Sequence, residues 1–422
     1  MNSWSKNLSG AMGSFTAHKG WHIFTSSLIV KLLNFALILV AVRLVSPKDF
    51  NDFSYAQSVL AFLLPLAGMG LNHSLLRYGG LLQSLTEKQE LYKISLKKGV
   101  LITILLMAIL IKTANLITHH LPGANLLLLI LSAQLISTFL LEMIKAFFRI
   151  HHLNRAYALV EVQFAFILFT TAIIGIYFFG ISGLCVAYAI SGSLLFLYWK
   201  LRRKNLTSIK LIKNNSLPSG YVKYGFYAGI GGVASALMYQ VDILTIGNLL
   251  LDETSVAIYK VATHLPYSII FISLAYVHAQ YVSLTKNYEN KSSLILFLKQ
   301  YYAIFIPLGL VLYVLVYFLA PWLINMFYGA DYVSAVEPLR ILFLGLLAIF
   351  WFRVPFGNLL GAVGKSKWNA IISIFMILGN IILNYYLVTQ YGLIGASWAT
   401  TILLLLSGLV SMIFFIHYLR KL

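Results

Sequence analysis

The chain has 422 residues, of which 60% are hydrophobic and 10% are charged, and its formal net charge is +19. Soluble domains carry roughly one-quarter charged residues, so this composition excludes a string of soluble domains and predicts a membrane protein. Apolar runs such as 101–111 and 402–416 are nearly continuous, whereas the strands of a membrane barrel alternate apolar and polar residues. The spans are therefore predicted to be α-helices, which satisfy their backbone hydrogen bonds internally.

The N-terminal segment, residues 1–22, carries Lys6 and Lys19 and has apolar residues spaced like one face of a helix. A cleaved signal peptide needs a short apolar core and a small-residue cleavage site, but here a full-length apolar run follows. We expect an uncleaved chain with an interfacial N-terminal segment. The single cysteine, Cys185, lies in an apolar run, so it forms no intramolecular disulfide.

Hydropathy predicts twelve spans, because about 20 mainly apolar residues cross the hydrocarbon layer. The predicted spans cover residues 23–44, 54–74, 99–117, 124–146, 157–179, 183–200, 224–249, 255–280, 299–320, 337–361, 369–388 and 394–417. The fold class is therefore predicted as an all-α polytopic membrane protein.

The distribution of basic residues supports this topology. With both termini cytoplasmic, the inner segments hold 24 of the 31 Lys and Arg residues, and the outer segments hold three. Such an asymmetry is what the positive-inside rule requires. The remaining four, Lys31, Lys260, Arg340 and Arg353, fall within predicted spans. Basic loops are attracted to anionic membrane lipids. The positive net charge is therefore explained without a nucleic-acid partner.

Weak internal similarity divides the chain into two halves. Phe53 in span 2 corresponds to Tyr259 in span 8, and Gly180 after span 5 corresponds to Gly392 after span 11. The predicted organisation is an N-lobe of spans 1–6 (23–200), a basic cytoplasmic linker (201–223) and a C-lobe of spans 7–12 (224–422). Parallel repeats of this kind place substrate sites between the halves near mid-membrane. We therefore expect two pseudo-symmetric six-helix lobes around a central cavity.

Five short motifs at span ends occur in a characteristic order. They lie at residues 43–50, 241–247, 321–329, 358–365 and 391–396. Together they resemble the multidrug/oligosaccharidyl-lipid/polysaccharide exporter superfamily, and within it the polysaccharide and O-antigen flippases. One departure is Asn51, which stands where the family usually has glycine.

The resemblance implies alternating access between two lobes. It implies an undecaprenyl-pyrophosphate-linked oligosaccharide as cargo, such as an O-antigen unit, moved across the bacterial inner membrane from the cytoplasmic leaflet to the periplasmic one. Polysaccharide polymerase or chain-length proteins are possible partners. We expect no enzymatic activity, cofactor or metal site.

Ionisable residues inside spans are expensive and indicate functional sites. Lys31 lies midway along span 1, with Asn34 one turn later on the same face, and a cation there suits a pyrophosphate. Arg353 in span 10 matches phosphate oxygens bidentately. The alternative for Lys31 is snorkelling or pairing with an acid, and the alternative for Arg353 is an ion pair with Glu142 or Asp242.

Spans 4, 7 and 8 carry further polar residues. Glu142 and Arg149 belong to a polar stripe of span 4, and Lys260 and His264 share one face of span 8. Asp242 in span 7 is the candidate for proton or sodium coupling, because burial disfavours its charged form. A structural pair between Asp242 and Lys260 is the alternative.

Three other functions fit parts of the pattern. One is a peptidoglycan-precursor flippase, although those proteins resemble this chain with two additional spans. A multidrug exporter of the same superfamily would take organic cations, but span 1 contains no acid to bind them. A membrane glycosyltransferase or polysaccharide polymerase would need a sizeable outer loop with catalytic carboxylates, and the outer loops here are short. An anionic cargo fits the mid-membrane cations better.

Overall fold

A computed structural model describes residues 20–202, 217–250 and 252–422 of the chain. Over these residues the chain is helical and contains no strand, which confirms the predicted all-α class. Most of the predicted N-terminal segment (1–22) and of the predicted basic linker (201–223) lies outside the described residues. Both therefore stay predictions.

The helices before the predicted linker follow the hydropathy of the sequence closely. They are α1 (Gly20–Leu44), α2 (Pro47–Leu63), α3 (Leu71–Leu81), α4 (Leu85–Ile117), α5 (Gly123–Leu131), α6 (Gln134–Ile150) and α7 (Asn154–Arg202). A 3₁₀ segment, Leu64–Gly70, joins α2 to α3 within predicted span 2. Ser46 caps α2, since its hydroxyl accepts a hydrogen bond from the backbone N–H of Asp49 at 3.1 Å.

The helices after the linker range in length from 9 to 55 residues. They are α8 (Tyr221–Leu249), α9 (Ser255–Lys286), α10 (Lys291–Phe327), α11 (Val336–Ala348), α12 (Val354–Ala362) and α13 (Ser366–Arg420). A π-helical turn, Ile349–Arg353, joins α11 to α12. A 3₁₀ segment, Ala330–Ala335, precedes α11.

Eight helical segments among the described residues are long and apolar enough to cross a membrane. Two of them, in α7 and α13, belong to helices of 49 and 55 residues. A straight helix of about 50 residues would be about 75 Å long, more than twice the roughly 30 Å hydrocarbon layer. Helices α1 and α8, with 25 and 29 residues, also exceed the length of a span.

Both long helices fold back on themselves as hairpins. In α7 the indole Nε1 of Trp199 donates to Oε1 of Gln163 at 3.0 Å, and the Thr171 and Ser191 hydroxyls lie 3.1 Å apart. In α13 the rings of Trp368 and Phe414 stack at 4.0 Å between centroids. Each hairpin therefore contains two antiparallel segments, as predicted for spans 5–6 and 11–12. The exact number of twelve spans stays a prediction.

A glycine makes each hairpin turn. Gly180 has φ 58° and ψ −141°, and Gly392 has φ 56° and ψ −132°. Residues with a Cβ rarely adopt this region of backbone space. The two glycines predicted to correspond thus share one unusual conformation at one kind of turn, which supports the internal repeat.

The described chain clusters into two compact units. One comprises Ser26–Gln240 and the other contains Val241–Leu422. The first unit has a core of aromatic and aliphatic side chains that includes Tyr92, Phe139 and Phe148. In the second unit Tyr301 stacks on Phe305, with 4.4 Å between the ring centroids.

The hairpin glycines give a stability prediction. Alanine fits sterically at either position. A Cβ added at Gly180 has no atom within 4 Å, and a Cβ added at Gly392 has only Leu250 Cδ1, at 3.9 Å. The backbone strain alone should destabilise Gly180→Ala and Gly392→Ala by about 1–3 kcal/mol each. The midpoint of thermal unfolding of the purified protein in detergent measures this loss.

Gly80→Ala is the matched control, because Gly80 lies in helical α3 and an added Cβ there also has no neighbour within 4 Å. Alanine is favoured over glycine in a helix interior by roughly 0.5–1 kcal/mol, so this variant should be as stable as the parent or more stable. Equal midpoints for all three variants would contradict the strained turns.

Candidate functional site

Asp242, near the end of α8, is the centre of a buried polar cluster in the second unit. Its side chain is 1% exposed. The Tyr259 hydroxyl of α9 donates to Oδ2 at 2.8 Å, and the Thr400 hydroxyl of α13 donates to the same oxygen at 2.5 Å. Nδ2 of Asn384 donates to Oδ1 at 2.8 Å. The carboxylate of α8 is thus held by three neutral donors from two other helices, α9 and α13.

The two asparagines of α13 contribute further oxygen atoms to this cluster. Asn380 and Asn384 are one turn apart, and both are buried. Nδ2 of Asn384 contacts Oδ1 of Asn380 more closely than an ordinary hydrogen bond. Oδ1 of Asn384 is buried without a hydrogen-bond partner. An unsatisfied buried acceptor is costly, and Oδ1 of Asn384 is such an acceptor on a residue that contacts the Asp242 carboxylate.

Asp252 lies just before predicted span 8 and caps the start of α9. Its Oδ1 accepts hydrogen bonds from the backbone N–H groups of Thr254 at 2.8 Å and Ser255 at 2.6 Å. Partial burial acts to raise the pKa of Asp252, but the hydrogen bond that the Ser255 hydroxyl donates to Oδ2, together with the two backbone hydrogen bonds, outweighs it and the pKa is lowered. This cap holds the first turns of α9, which carry Tyr259 and Lys260.

Lys260 and His264 lie one turn apart on α9, as predicted. The hydroxyl of the buried Tyr328 lies 2.8 Å from Nδ1 of His264. Lys260 is half-buried. Among the described residues no ion pair joins Lys260 to Asp242, whose oxygens instead accept hydrogen bonds from neutral groups. The structural pair considered for Asp242 is thus not formed.

Arg353 lies at the end of the π-helical turn. This turn leaves backbone carbonyls outside the regular helical pattern, and two tyrosines of α10 donate to them: Tyr301 to Phe350 O at 2.9 Å and Tyr302 to Trp351 O at 2.7 Å. Such π-helical turns often occur at functional sites.

The Arg353 guanidinium contacts neutral groups of the second unit. It lies 3.5 Å from Asn369 Oδ1 and 3.4 Å from Ser411 Oγ. No ion pair between Arg353 and Asp242 or Glu142 occurs among the described residues. Both acids have other partners, so this alternative finds no support.

The first unit contains an ionic triad on α6 and α7. Lys145 Nζ lies 2.7 Å from Glu142 Oε1 and 2.6 Å from Glu161 Oε1. The three side chains are partly exposed, and the triad has one more carboxylate than cations. Arg149, one turn after Lys145, is exposed and stacks on Tyr157, with 4.7 Å from its Cζ to the ring centroid.

Lys31 and Asn34 project from α1 as exposed side chains. No carboxylate among the described residues forms an ion pair with Lys31, so its ammonium group is left to solvent, lipid headgroups or an anionic ligand. Lys31 and Asn34 are three residues apart in α1, so they lie one turn apart on the same side of the helix, as the sequence predicts.

Sequence analysis missed several members of these clusters. Tyr259 and Thr400 appear in no polar stripe of their own helices, and Glu161 is an isolated acid on α7. Asn380 and Asn384 show a spacing of four residues, which signals a shared helix face. That signal indicates a polar face but does not identify Asp242 as its partner, because the two lie in distant parts of the chain.

Comparison with known proteins identifies the family. The family described as "Polysaccharide biosynthesis protein" matches residues 17–281, which is more than half of the chain. A comparison with curated proteins gives no match.

Several solved structures share the fold at low sequence identity. A structure of the lipid II flippase MurJ in an inward closed conformation has a TM-score of 0.74 at 20% identity, over 92% of this chain and 86% of that one. An inward-facing multidrug resistance MATE family transporter of the MOP superfamily has a TM-score of 0.75 at 17% identity, over 93% and 96%. A MOP superfamily transporter from Pyrococcus furiosus has a TM-score of 0.58 at 16% identity, over 98% and 96%.

These structures show that the chain has the fold of flippases and transporters, and the eight candidate spans among the described residues support a multi-pass membrane protein. The family match covers the whole first unit and continues into α9. The chain therefore belongs to the polysaccharide biosynthesis protein family and has the fold of the MOP superfamily.

Proposed function

We propose that the chain is a flippase that moves an undecaprenyl-pyrophosphate-linked oligosaccharide across the bacterial inner membrane. The cargo is an O-antigen or similar unit, carried from the cytoplasmic to the periplasmic leaflet by alternating access. The family and the fold shared with a lipid II flippase support this assignment. The observation that carries it is the presence, within apolar helices, of cationic side chains that have no carboxylate partner in the described part of the chain.

Lys31 and Lys260 are those cations. Each lies in a predicted span, and no ion pair to either occurs among the described residues. A charged side chain at membrane depth costs roughly 2.5–3.5 kcal/mol on insertion scales. A bound pyrophosphate, carrying negative charge on several oxygens, would offset that cost only while the cargo is present. The two lysines would thus be more stable with the pyrophosphate bound than without it, which is what a binding site for an anionic headgroup requires.

The Asp242 cluster supports coupling to a monovalent cation. A sodium ion prefers oxygen ligands, and transporter sites take them from carboxylates, carbonyls and helix ends. The oxygens of Asp242, Asn380, Asn384 and Thr400 lie within one buried cluster. The unpaired Oδ1 of Asn384 would gain a partner if a cation occupied the cluster. Proton binding to Asp242 is the alternative form of the same coupling.

A multidrug exporter of the same superfamily is the second candidate. The specific observation in its favour is the excess carboxylate of the triad formed by Glu142, Lys145 and Glu161, which could attract an organic cation. The family match points to polysaccharide biosynthesis instead, and the cations at Lys31 and Lys260 would repel a cationic drug.

The substitution Lys31→Ala tests the cargo. It removes a charge-assisted contact to phosphate worth roughly 1.5–3 kcal/mol, so we expect surface glycan to fall by about 10-fold to 100-fold. Surface glycan is measured by lectin or antibody staining of cells that express each variant at an equal level. Lys31→Arg should keep most of the activity because it retains the charge.

Lys112→Ala is the control, since Lys112 is an exposed lysine near the end of α4 and should leave surface glycan at the parental level. Normal glycan in Lys31→Ala cells at normal expression would contradict the assignment of Lys31. If cells without the gene also keep their glycan but become sensitive to cationic dyes, the multidrug exporter is the correct function.

The substitution Asp242→Asn tests the coupling site. Sodium chloride should raise the thermal-unfolding midpoint of the purified parent above its value in choline chloride, because an ion bound only to the folded state stabilises it. The variant keeps the size of the side chain but lacks the charge, so its midpoint should not respond to sodium.

Asp331→Asn removes an exposed carboxylate in the same unit and should respond to sodium like the parent. A sodium response that persists in Asp242→Asn would exclude this cluster as the sodium site. A parent that responds to pH but not to sodium would identify the proton as the coupling ion.

A further inference from the structure

An open cavity of about 610 Å³ lies where the two ends of the α7 hairpin meet, in the unit Ser26–Gln240. It is lined by His152, Leu153, Arg155, Ala156, Leu159, Trp199 and Arg202. The first helical turns of α7 form one wall and its last turn forms the other. The proposed flippase mechanism uses none of these residues.

The ionisable side chains among the described lining residues of this cavity are all basic. Arg155 and His152 are exposed, and no ion pair to either occurs in the described part of the chain. Arg202 donates one hydrogen bond to the Tyr198 hydroxyl at 2.6 Å, which leaves most of its five N–H donors for a ligand. None of the described lining residues is Asp or Glu. The lining therefore suits an anion that accepts several hydrogen bonds at once.

The floor of the cavity is fixed by an aromatic side chain. Trp199 is buried, donates its indole N–H to Gln163 and packs edge-on against Phe148, with 4.9 Å between the centroids. The Arg202 guanidinium lies 6.0 Å from the Trp199 ring centroid. One of the two arginines is thus held in place before a ligand arrives, which lowers the entropic cost of binding.

The α7 hairpin carries exposed apolar side chains at this cavity and next to it in the chain. Leu159 lies in the cavity wall and is 44% exposed, and Leu201, the chain neighbour of the lining residue Arg202, is 72% exposed. The predicted topology places this end of α7 at the cytoplasmic surface, where anionic lipids concentrate. A basic cavity that opens next to a lipid-facing apolar surface matches a molecule with a phosphate at one end and acyl chains at the other.

We infer that this cavity binds the phosphate headgroup of an anionic phospholipid from the cytoplasmic leaflet. The phosphate lies between Arg155 and Arg202, and the acyl chains extend along the exposed leucines of α7. The volume fits, because small-molecule sites span roughly 300–1,000 Å³. Basic cavities between membrane helices on the cytoplasmic side hold anionic headgroups for the same electrostatic reason. The bound lipid would join the two ends of the hairpin.

The test is a lipid titration of the full-length protein in an uncharged detergent, read by native mass spectrometry. Phosphatidylglycerol and phosphatidylcholine with identical acyl chains are compared, and glycerol 3-phosphate serves as the soluble phosphate. The variants are Arg155→Gln, the pair Arg155→Gln with Arg202→Gln, and the charge-matched pair Lys97→Gln with Lys98→Gln. Both control lysines are exposed on α4 and lie outside the cavity.

The parent and the lysine pair should bind phosphatidylglycerol more tightly than phosphatidylcholine. Because each basic residue near an anionic headgroup contributes about 1 kcal/mol, affinity should fall about fivefold in Arg155→Gln and about 30-fold in the arginine pair. If the arginine pair does not fold, the single variant at the exposed Arg155 still gives the answer.

Three results would overturn the proposal. Unchanged affinity for phosphatidylglycerol in Arg155→Gln would exclude the cavity. An equal loss in the lysine pair would show that net charge alone attracts the lipid. Displacement of phosphatidylglycerol by an equal concentration of glycerol 3-phosphate would identify a site for soluble phosphate compounds rather than for a lipid.

Discussion

Hydrocarbon offers no hydrogen-bond partners, and most of this structure follows from that property. Each backbone N–H and C=O inside the bilayer must be satisfied by the chain itself, which restricts the spans to helices. Where the helical pattern is interrupted, side chains take over: Tyr301 and Tyr302 donate to the carbonyls of the π-helical turn. The same rule applies to ionisable groups, which need partners inside the protein or a ligand.

The ionisable groups of the predicted spans divide into two classes under this rule. Asp242 is held by the hydroxyls of Tyr259 and Thr400 and the amide of Asn384, so its site is built by the protein. Lys31 and Lys260 have no carboxylate partner among the described residues. This division among the described residues agrees with the proposed anionic cargo and with the proposed coupling to a small cation.

The sequence predicts the helices well because each span must be apolar along its whole length. It also predicts the two hairpin turns, since Gly180 and Gly392 stand at corresponding positions of a repeat and adopt nearly the same backbone angles. It does not predict the 3₁₀ break at Leu64–Gly70 or the π-helical turn. Those irregularities depend on packing against other helices. The local sequence indicates them only weakly, for example through Pro65 in the 3₁₀ segment.

The candidate site is less predictable than the fold. Asp242, Lys260 and His264 stand out as ionisable residues in apolar segments, and the structure gives two of them polar contacts. Tyr259, Thr400 and Glu161 do not stand out, because their roles arise from contacts between helices distant in sequence. Periodicity identifies the polar face of one helix, whereas the identity of its partner depends on the three-dimensional fold.

Reconstitution tests the central claim most directly. Liposomes containing a lipid-linked oligosaccharide are prepared with and without the purified protein, and an impermeant glycan-degrading enzyme is added outside. The account predicts that the digested fraction rises from about half, the outer-leaflet share, towards completion only in protein-containing liposomes. A digested fraction that stays the same with and without functional protein would contradict a flippase.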